Sequence, residues 1–176
     1  AVTLPPMCGI GGEVFALFYH AKTRRIQGVS GGGRAPMTAT REYFVERGYE
    51  KMPVDGPLCP SVPGEVDAWE TILDRFGTRT LSDLIQPAIN LAEYGFPLPE
   101  RISKYFTSGL AKLSKYPTSA EIFIKSDGTP YVEGDILVQK KLARSLRGPC
   151  ARNVSCRIAI SVQCFRLVRL RQIGPL

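Results

Sequence analysis

The residues with most to offer chemically sit in one stretch, "QGVSGGGRAPMTATREYF" (Gln27–Phe44): three consecutive glycines, Gly31, Gly32 and Gly33, with Arg34 directly after them. Each glycine costs roughly 0.5–1 kcal/mol of backbone entropy relative to alanine. A run of three therefore needs a reason, and a phosphate cradle is the first to test. A P-loop requires GxxxxGK before Ser or Thr, and the chain contains none. The dinucleotide fingerprint GxGxxG fails twice, because its third glycine falls on Val14 after Gly9 and Gly11, and on Pro36 after Gly31 and Gly33. What remains is a loose hinge or the floor of a different kind of site.

Other chemistries find little support. A hydroxyl nucleophile with an imidazole base needs the two side by side. His20 is the single histidine and falls in a hairpin turn, where an exposed turn residue is expected. One histidine, with Cys8, Cys59, Cys150, Cys156 and Cys164 at no repeated spacing, also argues against a zinc or iron site and against a disulfide framework. Glu65, Asp67 and Glu70 could do acid–base work, but are more simply the solvated face of an amphipathic helix.

These residues must be held by short elements. The apolar, aromatic run "EVFALFYH" (Glu13–His20), the polar "AKTRR" and "IQGV" read as a β-hairpin. Val14, Phe15, Leu17 and Phe18 place apolar groups on both faces, which predicts a central, buried strand. Pro36 suits a first helical position, and Gly48 closes the short helix "TATREYFVERG". "VPGEVDAWETILDRFG" is a second helix, with a buried stripe of Val66, Trp69, Ile72, Leu73 and Phe76 and with Gly77 as its C-terminal cap. Thr80 and Asp83 form a capping box that opens a third helix, kinked at Pro87 and closed by Gly95. Pro99 opens a helix toward Leu113, Asp127-Gly128 marks a turn, and "ILVQKKLARSLR" is a last amphipathic helix.

The 176 residues suffice for one domain, burying about two-thirds of the unfolded surface. The net charge of +7 is unevenly spread. Residues 148–176 hold five arginines and no acid, and the remainder carries 18 basic against 16 acidic residues, a charge of +2. Phosphate attraction is possible for such a tail, but Phe165 is its one aromatic residue and no nucleic-acid module is recognisable, so nucleic acid is not expected as a partner. The tail also lacks helix caps; its pattern fits a basic strand or a solvated arm, and it is expected to stand apart from the fold. No apolar run reaches the ~20 residues of a membrane-spanning helix. No signal peptide is expected, and because the chain opens at Ala1 it is expected to be a processed or incomplete product.

The order of the motifs is informative. "GIGGEVFALFYHAKT" (Gly9–Thr23), "GGGRAPMTATREYF" (Gly31–Phe44), "VPGEVDAWETILDRFGTRTLSDLIQPAINLAEYGFPL" (Val62–Leu98) and "DGTPYVEGDILVQKKLARSL" (Asp127–Leu146) closely resemble the γ-glutamyltransferase family, in the early part of its large subunit. The resemblance covers residues 1–147, with 148–176 unlike the family. It implies an α/β fold, part of the αββα sandwich of N-terminal-nucleophile hydrolases, mostly helical with a buried β-hairpin and incomplete here. It further implies that the nucleophile is the N-terminal threonine of a small subunit absent from this chain, made by autocleavage of a precursor. Its α-amine is the base, and a γ-glutamyl amide such as glutathione is the small-molecule substrate. No metal or cofactor would be required, and no catalytic residue would then lie in this chain, which would be inactive alone. Relatives are often periplasmic, secreted or held at the outer cell face.

One departure concerns specificity. The family has a G-R-E-T-A-P-like run whose arginine grips the substrate α-carboxylate by a charge-assisted pair. Aligned on Ala35-Pro36, that position is Gly32, and Arg34 stands two residues later. Gly32, Gly33 and Arg34 are the substrate-binding candidates that the resemblance implies, with a structural role for Arg34 equally open. The pattern resembles the amidohydrolase-like branch, including oxamate amidohydrolase. A non-catalytic binding partner derived from the family and a tail-mediated binder of acidic surfaces are further alternatives.

Overall fold

The computed structural model describes residues 1–150 and 169–173. They form two compact units: Ile10–Thr78 together with the last strand, and Ala1–Gly9 together with the chain from Arg79 through the last helix.

The first unit is built on the hairpin β1 (Phe15–His20) and β2 (Arg25–Ser30), antiparallel with Phe15 opposite Ser30 and His20 opposite Arg25. A third strand, β5 (Arg169–Ile173), pairs with the other edge of β2, placing Arg169 opposite Ser30 and Ile173 opposite Ile26. This strand belongs to the segment expected to stand apart from the fold. The remainder of that expectation, beyond Cys150, lies outside the described residues.

The sheet order β1-β2-β5 makes β2 central and β1 an edge, which corrects the buried hairpin. Side chains alternate across a strand, so the apolar run divides between two faces. Phe18 stacks on Phe76 at 4.2 Å between ring centroids, on the face that also carries the buried Val29. Phe15, Leu17 and Tyr19 point the other way and are 69%, 73% and 58% exposed. A continuous hydrophobic run reports burial on both faces only when both are covered, and among the described residues of this unit one face is.

Thr40 sets the start of helix α1 (Arg41–Val45), its Oγ1 accepting the Tyr43 N–H at 3.2 Å. Pro36 therefore lies ahead of the helix and not at its first position; a side-chain cap at Thr40 defines the boundary more strongly than proline's preset φ. Gly48 ends the following turn in the left-handed region at φ +78°. Helix α2 (Glu65–Phe76) ends at Gly77, whose N–H reaches the Leu73 carbonyl. Its expected buried stripe is only half-buried, and the buried positions are Glu65 and Ala68.

The second unit follows its sequence signals more closely. Helix α3 (Leu81–Tyr94) opens on the Thr80–Asp83 capping box, runs through Pro87 and closes at Gly95, which has φ +84°. Strand β3 (Phe96–Pro97) pairs with β4 (Ile136–Leu137), and α4 (Glu100–Leu113) follows Pro99. Helix α5 (Pro117–Phe123) leads into the Asp127–Gly128 turn, where Asp127 Oδ1 accepts the Thr129 N–H at 2.9 Å. Helix α6 (Lys140–Cys150) begins four residues later than Ile136, because Ile136 and Leu137 pair with β3. Helices α3 and α6 pack together; Ile89, Ala92, Leu98, Ile102, Phe106, Leu137, Ala143 and Leu146 are buried in this unit. Gln139 ties it to the N-terminus, donating from Nε2 to the Val2 carbonyl at 2.9 Å.

The two faces of β1 should respond differently to truncation. Phe18→Ala should destabilise its unit by about 2–3 kcal/mol through the lost ring contact and burial, whereas Leu17→Ala should change stability by less than about 0.5 kcal/mol. Urea melts of the two variants check this.

Candidate functional site

The triple glycine lies where β2 leaves the sheet and meets the segment leading into α2. The Gly31 N–H donates to the Val14 carbonyl at 2.7 Å, extending the hairpin ladder by one bond. The Gly12 carbonyl accepts the N–H groups of Gly64 and Glu65, at 3.2 and 3.1 Å. Helix α2 lacks a side-chain cap, so a carbonyl from beside the hairpin satisfies amides at its N-terminus.

These bonds bring two backbones into direct contact. A methyl group on Gly31 would lie 2.6 Å from the Ala68 Cβ and 3.0 Å from the Gly64 carbonyl oxygen. One on Gly33 would fall on the Val62 carbonyl, and one on Gly64 on the Gly31 carbonyl. Gly32 differs, because its methyl would meet side-chain atoms, the end of the Phe15 ring at 3.2 Å and the Ser30 hydroxyl at 3.8 Å. Two of the three glycines are thus required by backbone approach, which excludes the loose hinge.

Glu13 crosses this junction. Its Oε1 accepts the Gly33 N–H at 3.3 Å and the Ser61 hydroxyl at a short 2.5 Å. Neither Glu13 nor Ser61 stands out in the sequence; an acid ending the run "GIGGE" at the mouth of a strand is the one available signal. Arg34 is exposed one residue beyond the clamped Gly33 amide. The expected substrate-binding residues are therefore contiguous, with Gly33 held against Val62, Gly32 beside Phe15 and Arg34 at the surface.

Of the three acids read as a solvated helix face, Asp67 is exposed, but Glu65 is buried as the first residue of α2. Burial raises its carboxyl pKa above the ordinary value of 4.5. His20 is exposed at the end of β1, with Nδ1 2.9 Å from the Thr23 hydroxyl. Cys8 and Cys59 are free and exposed. Among the described residues, no three His, Cys, Asp or Glu side chains converge, and no helix is long and apolar enough to cross a membrane.

Two outcomes follow from this packing. Gly33→Ala and Gly31→Ala should each destabilise by about 1–3 kcal/mol or more through backbone overlap, while Gly32→Ala should stay within about 0.5 kcal/mol because a ring edge can move; thermal melts separate them. Glu65 has a folded-state pKa above its unfolded one, so its contribution is full at low pH and is lost as pH rises through the raised value. Glu65→Gln, which cannot ionise, should gain stability relative to the parent as pH is raised from 4 to 7, and parallel pH–stability curves would show the carboxyl to be unperturbed.

The chain matches the family model described as Gamma-glutamyltranspeptidase over residues 1–149. It is 34% identical over 147 residues to the glutathione hydrolase-like YwrD proenzyme of Bacillus subtilis, covering 83% of this chain and 27% of that relative. It is 36% identical over 150 residues to the glutathione hydrolase proenzyme of the same organism, covering 83% and 25%. The crystal structure of Helicobacter pylori γ-glutamyltranspeptidase superposes with a TM-score of 0.77 at 35% identity, over 83% of this chain and 42% of that one. The chain spans about a quarter of the length of these curated relatives. Its mixture of helices and small sheets is part of an N-terminal-nucleophile hydrolase type of fold, and the glycine–arginine loop sits inside the matched region. The chain belongs to the γ-glutamyltranspeptidase family.

Proposed function

We propose that this chain supplies scaffold and pocket wall to an enzyme that cleaves or transfers γ-glutamyl amides, and that the attacking threonine belongs to a small subunit outside it. The observation that carries the reading is the family match over residues 1–149 with Arg34 exposed at the end of the glycine loop. On this reading Arg34 holds the substrate carboxylate through a charge-assisted pair, with Gly32 leaving room beside it and Gly33 held against Val62 as part of the pocket wall. The small subunit would bring the N-terminal threonine, whose amine is the base, and N–H groups that stabilise the oxyanion.

One apolar surface supports a partner of this kind. The outer face of β1 exposes Phe15, Leu17 and Tyr19. Contiguous exposed apolar groups mark surfaces that another polypeptide covers. Relatives about three times as long, named as proenzymes, have the chain to do so.

The displaced arginine favours a second reading, in which the enzyme belongs to the amidohydrolase-like branch and acts on an oxamate-type amide. Gly32 stands where the γ-glutamyl-specific arginine is expected, and Arg34 approaches from two residues on.

A γ-glutamyl anilide assay of the 176-residue chain should give no turnover; robust turnover without a partner overturns the division of labour. Calorimetric titration should show Arg34→Ala weakening glutathione binding by about tenfold or more, as loss of a charged hydrogen bond requires. Oxamate binding lost in Arg34→Ala, with none for glutathione in the parent, would favour the second reading.

A further inference from the structure

We propose that Glu13 is a positioning residue, whose carboxylate clamps the glycine loop to the segment ahead of α2 and so sets the direction in which Arg34 is presented. The inference goes beyond the proposed function, and only its consequence for ligand binding rests on the carboxylate-holding reading of Arg34.

The geometry has three parts. One carboxylate oxygen of Glu13 accepts from donors 20 and 48 residues away, the Gly33 N–H and the Ser61 hydroxyl. Both donors lie in segments without helix or strand, so neither a helix nor a sheet ladder fixes them. The Gly33 N–H lies in the Gly32–Gly33 peptide plane, so Glu13 holds the plane just ahead of Arg34, and the Val62 backbone packed against the Gly33 Cα limits the rotation between that plane and Arg34. A charged acceptor makes each bond stronger than a neutral one would.

A purely space-filling role does not account for these contacts. Glu13 is exposed, whereas the close backbone packing of Gly31 and Gly64 is buried. That packing fixes where the loop passes. The Gly33–Glu13–Ser61 bonds act two residues further on, at the point where the loop turns outward. Glu13 is thus placed to control the order of residues 32–34 while contributing little to the core.

The test compares Glu13→Ala, Glu13→Gln and Ser61→Ala with the parent, using backbone 15N order parameters and glutathione titration, with circular dichroism and melting temperature as controls. In the parent, residues 32–34 should have order parameters near the rigid value of about 0.85, and in Glu13→Ala they should fall below about 0.6 while β1 and β2 are unchanged. Ser61→Ala should give an intermediate value. Glu13→Gln, which keeps an acceptor oxygen, should stay close to the parent. Glutathione affinity should fall about tenfold in Glu13→Ala and by less than about threefold in Glu13→Gln. Equal loop order in the parent and Glu13→Ala overturns the clamp. A disordered loop with unchanged glutathione affinity, where Arg34→Ala does lose affinity, overturns the positioning role. If Arg34→Ala leaves glutathione binding intact, the Arg34 reading fails by itself, and the order parameters alone decide for or against the clamp.

Discussion

Direct backbone contact between the glycine loop and the entry to α2 is the constraint from which the candidate site follows. The amides at the start of a helix have no partners of their own, and here the Gly12 carbonyl accepts two of them. That arrangement brings Val62–Gly64 so close to Gly31–Gly33 that Cβ atoms at 31, 33 and 64 would overlap neighbouring atoms. Side-chain-free positions are thus a packing requirement. The entropy that each glycine costs on folding is offset by capping a helix and packing α2 against the hairpin, where Phe18 of β1 stacks on Phe76.

The same contact gives Arg34 its setting. With no side chains at 31–33, it is the first functional group after β2, on a loop whose backbone is held by Val14 on one side and Glu13 on the other. A fixed loop carrying a fixed charge is how a protein recognises a small anionic group without losing much freedom on binding. Under the proposed reading that group is a carboxylate of the substrate. The displaced arginine keeps an amidohydrolase-type substrate as the competing reading.

Much of the fold was legible where a signal is local. The Thr80–Asp83 box, the closing glycines at 77 and 95, the helix after Pro99 and the Asp127–Gly128 turn need only neighbouring residues, and each lies where its chemistry places it, whereas Gly48 ends a turn beyond α1 and does not close the helix itself. Local rules in competition were harder to read. Pro36 lost to the Thr40 cap, and Ile136 and Leu137 left the amphipathic helix pattern to pair with Pro97 and Phe96. Burial was the least legible property. Phe15, Leu17 and Tyr19 look like core, yet face outward, and Glu65 looks like surface, yet is buried.

From the linear sequence alone came the family, through the order and spacing of four motifs, and the identity of the glycine–arginine run, because both are properties of residues close together in the chain. Tertiary structure alone decided why the glycines are there. It also decided which face of β1 is covered, and that Glu13 meets Gly33 and Ser61 across 20 and 48 residues. Those facts depend on which distant backbones touch, and hydrogen bonds and steric overlap act over a few ångströms of space however far apart the residues lie along the chain.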